Sequence, residues 1–161
     1  MQDILRENLV GIYLHGSIAL NAFRWNVSDV DFLLVVQSES SDDAKRQLLD
    51  ATLRLSEIAP PKGLEWSVVT LADCLHVSHP VPFCLHYSIA HTQRYLSSPE
   101  EYIQNMKGRD ADLAAYLQSS ANAASSFMEN QLKKFSALFH KISSWTVSAK
   151  MSSMTTRHTV S

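Results

Sequence analysis

The chain has 161 residues, 45% of them apolar and 19% charged, with a formal net charge of -2 at pH 7. That length suffices for one buried core, and the near-neutral balance excludes wholesale attraction to nucleic acid or anionic membrane, so a phosphate-bearing ligand would need a local site. No run approaches the roughly 18 apolar residues of a membrane span, and residues 1–11 have neither a basic n-region nor an apolar h-region, so a cytoplasmic protein is expected. Cys74 and Cys84 have no partner at redox or metal-ligand spacing and read as buried or free thiols.

In chain order, residues 9–15 read as a strand, Ile12 and Leu14 alternating with Tyr13 and His15 before a turn at Gly16. Apolar spacing over 18–23 predicts a short helix, and residues 26–28 a loop. Val30–Val36 is apolar on both faces, the pattern of a central, doubly covered strand. Ser40, Ser41, Asp42 and Asp43 supply a cap and negative charge at a helix start, and Ala44, Leu48, Ala51, Leu55 and Ile58 form one stripe until Pro60 and Pro61 stop it. Residues 64–71 read as a third strand, 76–82 as a loop and 83–87 as a further short strand. Helical spacing follows over 90–96 and 100–106, then a turn at 107–110 and a helix start at 112–117. Alternation of strand and helix favours an α/β (α+β) domain whose mixed sheet is backed by helices.

The chemistry gathers early. Gly16 and Ser17 follow the first strand, and Ser28, Asp29 and Asp31 stand at the mouth of the second. Side chains at i and i+2 of a strand share a face, so Asp29 and Asp31 point the same way and repel unless a cation lies between them. Mg²⁺ prefers one or two carboxylates and fills its other positions with water and phosphate oxygens, as a nucleoside triphosphate such as ATP would supply. Gly16 lets backbone approach phosphates closely, and the Ser17 and Ser28 hydroxyls can donate to them. Glu65, opening the third strand, is the candidate general base for an attacking hydroxyl.

Other candidates carry less. His76, His79, His86 and His91 do not fit a zinc-ligand spacing, His91 and Arg94 read as facing water, and Trp25 and Trp66 as packing residues.

Gly16-Ser17 with Ser28-Asp29-Val30-Asp31 resembles the signature of the DNA polymerase β-like nucleotidyltransferases. The closer likeness is to the aminoglycoside nucleotidyltransferases of streptomycin/spectinomycin adenylyltransferase type. Glu65 with Trp66, Ser67, Val68 and Val69 is similar to their catalytic-Glu strand, and Asp110-Ala111-Asp112-Leu113-Ala114 to the helix start that follows. The resemblance covers roughly residues 5–117. It implies AMP transfer from ATP to a small-molecule hydroxyl acceptor, with Asp29 and Asp31 on Mg²⁺, Gly16, Ser17 and Ser28 on ATP, and Glu65 as base. No nucleic-acid or membrane partner is expected.

Residues 1–117 are therefore expected to form the nucleotidyltransferase domain. Residues 118–161 contain no Gly, Pro or Asp and carry Lys133, Lys134, Lys141, Lys150 and Arg157 against Glu129 alone. This Ser/Thr-rich basic tail matches no part of the family's C-terminal helical domain, and permitted codons read in a shifted frame can spell a family-like continuation. The expectation is a frameshifted, partly disordered tail, with self-association through the surface the helical domain would cover. Two other readings stay open: a minimal, antitoxin-type nucleotidyltransferase-like module acting through a partner, and an inactive remnant.

Overall fold

The computed structural model describes residues 1–121; what was expected of the tail beyond them lies outside the described residues. Helix α1 (Gln2–Leu5) and a 3-10 turn lead into β1 (Leu9–Leu14), α2 (Gly16–Ala19), β2 (Val30–Val36), α3 (Asp42–Ser56) and β3 (Leu64–Thr70). There follow α4 (Leu71–Leu75), β4 (Val81–Phe83), β5 (Leu85–Tyr87), α5 (Thr92–Ser97), α6 (Pro99–Asn105), β6 (Gly108–Asp110) and α7 (Asp112–Ala121). Four strands form a sheet in the order β1-β2-β3-β5, while β4 and β6 make a separate antiparallel pair. Within the sheet β2 and β3 run parallel and the flanking pairs antiparallel, the mixed arrangement expected.

Alternation along the strands sorts the core into two layers. Phe32, Leu34, Trp66 and Val68 pack with Leu48 and Leu49 of α3, Tyr95 of α5, and Tyr102 and Ile103 of α6. On the opposite face Leu33, Val35 and Val69 pack with Val81 of β4 and with Leu113 and Leu117 of α7. β2 is thus buried on both faces, as its unbroken apolar run dictates.

Helix α3 starts where its capping sequence places it: the Ser41 hydroxyl accepts from the Ala44 amide at 3.3 Å. Its buried face is rotated from the expected stripe, with Lys45, Leu48, Leu49 and Thr52 inward and Ala44, Ala51 and Leu55 only partly covered. Two polar residues occupy that face because each is satisfied there. Lys45 Nζ pairs with Glu39, and Thr52 donates to the Leu48 carbonyl while accepting from Trp66 Nε1 at 3.1 Å.

Other expectations are corrected by contacts between distant segments. The single strand expected over 83–87 divides at Cys84, whose amide donates to the Val68 carbonyl, so β5 joins the sheet while β4 turns to β6. Residues 108–110, read as part of a turn, form β6 because β4 pairs with them. The helix expected over 18–23 occupies Gly16–Ala19 and ends before Asn21, whose φ of 58° is left-handed. Val81 and Pro82 belong to β4 rather than to the loop before it. No helix among the described residues is long and apolar enough to cross a membrane. Both cysteines are free, Cys84 buried and Cys74 half-buried.

Candidate active site

The end of β1 and the starts of β2 and β3 meet at one edge of the sheet. The His15 amide extends the β1–β2 ladder by donating to the Asp31 carbonyl at 3.0 Å. Gly16 follows at φ +57°, with its Cα packed so closely on Asp31 that a Cβ would overlap Oδ2. A side chain is excluded there both by backbone conformation and by space.

Across the parallel pair, Asp31 is in register with Glu65, so their side chains stand side by side on the same face. Asp29 joins them from the loop two residues earlier. One carboxylate oxygen from each of Asp29, Asp31 and Glu65 lies within 4.8 Å of the others, and among the described residues this is the one such group of three or more His, Cys, Asp or Glu. The two aspartates are half-buried, and the Glu65 side chain is the most open.

The electrostatics are those of a site short of positive charge. Burial, then the charges of Asp29 and Glu65, push the Asp31 carboxyl up to about 7. Burial raises Glu65 as well, helped by Asp29 and Asp110. No Lys or Arg among the described residues forms an ion pair with any of these four carboxylates. Three convergent carboxylates are a donor set that fits Mg²⁺, a hard cation that takes oxygen ligands.

On the other side of Asp31, the Ser17 hydroxyl is buried with no hydrogen-bond partner among the described residues. An orphaned donor beside a glycine turn fits a phosphate oxygen. Ser28 Oγ accepts from the Arg24 amide at 3.1 Å, which closes the loop before Asp29 and leaves its own proton to donate.

Three neighbours are not assigned to the site from the sequence, although Asp110 is read at the helix start it caps. His15 stacks on Tyr116 of α7, ring centroids 4.1 Å apart, with its Nδ1 buried and without a hydrogen-bond partner among the described residues, and burial lowers its pKa to about 4. Asp110 caps α7 by accepting from the Asp112 amide at 2.8 Å. The adjacency of His15 to Gly16 was the available signal for the first; Tyr116 and Asp110 reach the site through pairings that no local pattern announces. His86 and His91 approach edge to face at 5.4 Å, whereas His76 and His79 are exposed elsewhere. His91 does not simply face water, since its Nδ1 is buried; Arg94 is exposed and lies 6.0 Å over the Tyr102 ring. Trp66 is a core residue, 1% exposed. A groove of about 280 Å³ beside β1, lined by Gln2, Arg6 and residues 9–13, contains none of the acidic residues.

Residues 1–144 match the family model described as a nucleotidyltransferase domain. A spectinomycin 9-adenylyltransferase of Campylobacter jejuni is 29% identical over 86 residues, which are 52% of this chain and 33% of that protein. The crystal structure of the spectinomycin adenyltransferase AAD(9) from Enterococcus faecialis, with ATP and spectinomycin, superposes with a TM-score of 0.59 at 26% identity. That match covers 69% of this chain and 44% of the solved one, so the chain spans less than half the length of either relative.

Proposed function

The chain belongs to the nucleotidyltransferase domain family, and on that premise we propose that it transfers AMP from ATP to a hydroxyl of an aminoglycoside or aminocyclitol of the spectinomycin or streptomycin type. The observation that carries this reading is the convergence of Asp29, Asp31 and Glu65 within 4.8 Å, beside a glycine turn that admits no side chain. The similarity to two spectinomycin adenylyltransferases supports the choice of donor and acceptor class.

Asp29 and Asp31 would hold Mg²⁺, which when bound offsets the charge of the carboxylates and the triphosphate. Gly16, Ser17 and Ser28 receive the phosphates, Ser17 through the hydroxyl that has no other partner among the described residues. Glu65 takes the proton of the acceptor hydroxyl as its oxygen bonds to the α-phosphorus. The bond from the α-phosphorus to the bridging oxygen breaks, and pyrophosphate leaves with that electron pair. Half-burial and two carboxylate neighbours raise Glu65, which makes it a stronger base than a solvated glutamate.

The test is incubation of the protein with ATP, Mg²⁺ and either spectinomycin or streptomycin, read by mass spectrometry. An acceptor heavier by one adenylyl group, with one pyrophosphate released per product, supports the reading. Unmodified acceptors under conditions where the protein binds Mg-ATP count against it.

A further inference from the structure

The site does not stop at Glu65. Ser67, two residues along β3, shares its face and is in register with His86 of β5. The Ser67 hydroxyl and His86 Nδ1 lie 3.0 Å apart, which leaves Nε2 as the ring nitrogen for a ligand. The ring is held between Phe83 and His91, with centroids at 5.7 and 5.4 Å, and the Tyr102 hydroxyl donates to the His86 carbonyl at 2.8 Å. This side chain is therefore fixed from three sides while remaining only half-buried.

Asp110 approaches the same space from the covering layer. Gly108 of β6 faces Phe83, the ring that touches His86, and Asp110 lies two residues further on, opposite Val81. Its Oδ1 fixes the first turn of α7, and that helix places Tyr116 on His15 next to the glycine turn. Asp110 is thereby tied to the His86 side through β4 and to the His15 side through α7. Its charge is felt at Glu65, His15 and His86 alike.

Two of the four carboxylates, Asp29 and Asp31, are assigned to metal. Glu65 keeps negative charge on the far side of Asp31 from the phosphate turn, and Asp110 adds its own from the covering layer, neither with an ion-pair partner among the described residues. Negative charge beside a rigid imidazole suits a ligand with both cationic and hydroxyl groups.

We propose that Asp110 and His86 form the acceptor side of the active site, Asp110 receiving an ammonium or guanidinium group and His86 Nε2 a hydroxyl of a cationic, polyhydroxylated acceptor presented to Glu65. This rests on the transfer reading above, because Glu65 is the base that fixes where the acceptor must lie.

The experiment is steady-state kinetics with spectinomycin and streptomycin on wild type, Asp110→Asn, Asp110→Ser, His86→Asn and His86→Gln. Both Asp110 variants keep an oxygen that can cap α7, so loss of charge is separated from loss of fold. His86→Asn keeps a polar atom near Nδ1 for Ser67 and removes the Nε2 end, which His86→Gln can reach. Expected is a rise of about tenfold or more in acceptor KM for both Asp110 variants and for His86→Asn, with ATP KM within about twofold and partial recovery in His86→Gln. Unchanged acceptor KM, or ATP and acceptor KM rising together, overturns the assignment while the transfer reading stands. A wild type that binds Mg-ATP yet adenylylates neither acceptor overturns both.

Discussion

Asp31 and Glu65 are register partners on adjacent parallel strands, so the sheet itself holds two carboxylates side by side, and Asp29 makes a third. In the metal-free protein this raises Asp31 from 3.8 to about 7, chiefly through burial. Between those values the folded state holds a proton that the unfolded state has released, so this group's contribution to stability is full below about pH 4 and is lost as pH rises through about 7. Asp31→Asn removes the effect. The variant's stability relative to wild type is expected to gain about 1–2 kcal/mol from pH 4 to 7.5, less than the full shift implies because the carboxylate is partly exposed. His15 acts in the opposite sense: its folded pKa is depressed from 6.5 to about 4, so stability is lost as pH falls through that window. The comparison must therefore be variant against wild type at each pH, by urea denaturation with Mg²⁺ removed; a constant difference contradicts it.

Gly16→Ala meets two obstacles, a left-handed backbone and the Asp31 carboxylate in the place of its methyl group. A stability loss of about 1–3 kcal/mol is expected, with Mg-ATP binding weakened as well because Asp31 must move. Thermal denaturation and a nucleotide titration check it. A variant that binds and melts like wild type would show that the turn is not so packed.

Thr52→Val tests the fold away from the chemistry. It strands the buried Trp66 indole N–H, whose acceptor is the Thr52 hydroxyl, and should cost about 1–3 kcal/mol with transfer kinetics unchanged. Chemical denaturation paired with an activity assay reads both; a neutral substitution would mean that Trp66 finds another acceptor.

Glu65→Gln keeps the shape of the side chain and removes the base. Transfer should fall by at least about a hundredfold while Mg-ATP affinity changes by only a few fold. If binding collapses in parallel with turnover, Glu65 acts mainly as a metal ligand.

How much of this was legible in the sequence depended on how local each signal was. The strand run Val30–Val36, the Ser41 cap and the pairing of Asp29 with Asp31 are written in neighbouring residues, and each appears where the pattern placed it. The side-by-side placement of Asp31 and Glu65 depended further on β2 and β3 running parallel in the register that sets the two residues opposite each other. What was hidden depended on distant partners. Residues 108–110 look like a turn until β4 pairs with them, and Asp110 and Tyr116 come to the site by that route. The buried face of α3 was misread because Lys45 and Thr52 are polar, and their burial depends on Glu39 and Trp66.

The central claim is that Asp29, Asp31 and the Gly16 turn bind a metal–nucleotide complex. Calorimetric titration of Mg-ATP into wild type and into the Asp29→Asn/Asp31→Asn double variant tests it most directly. Saturable binding by wild type and a loss of at least about tenfold in the folded variant are the predicted result. Equal affinity in the two proteins, or no binding by wild type, would contradict it.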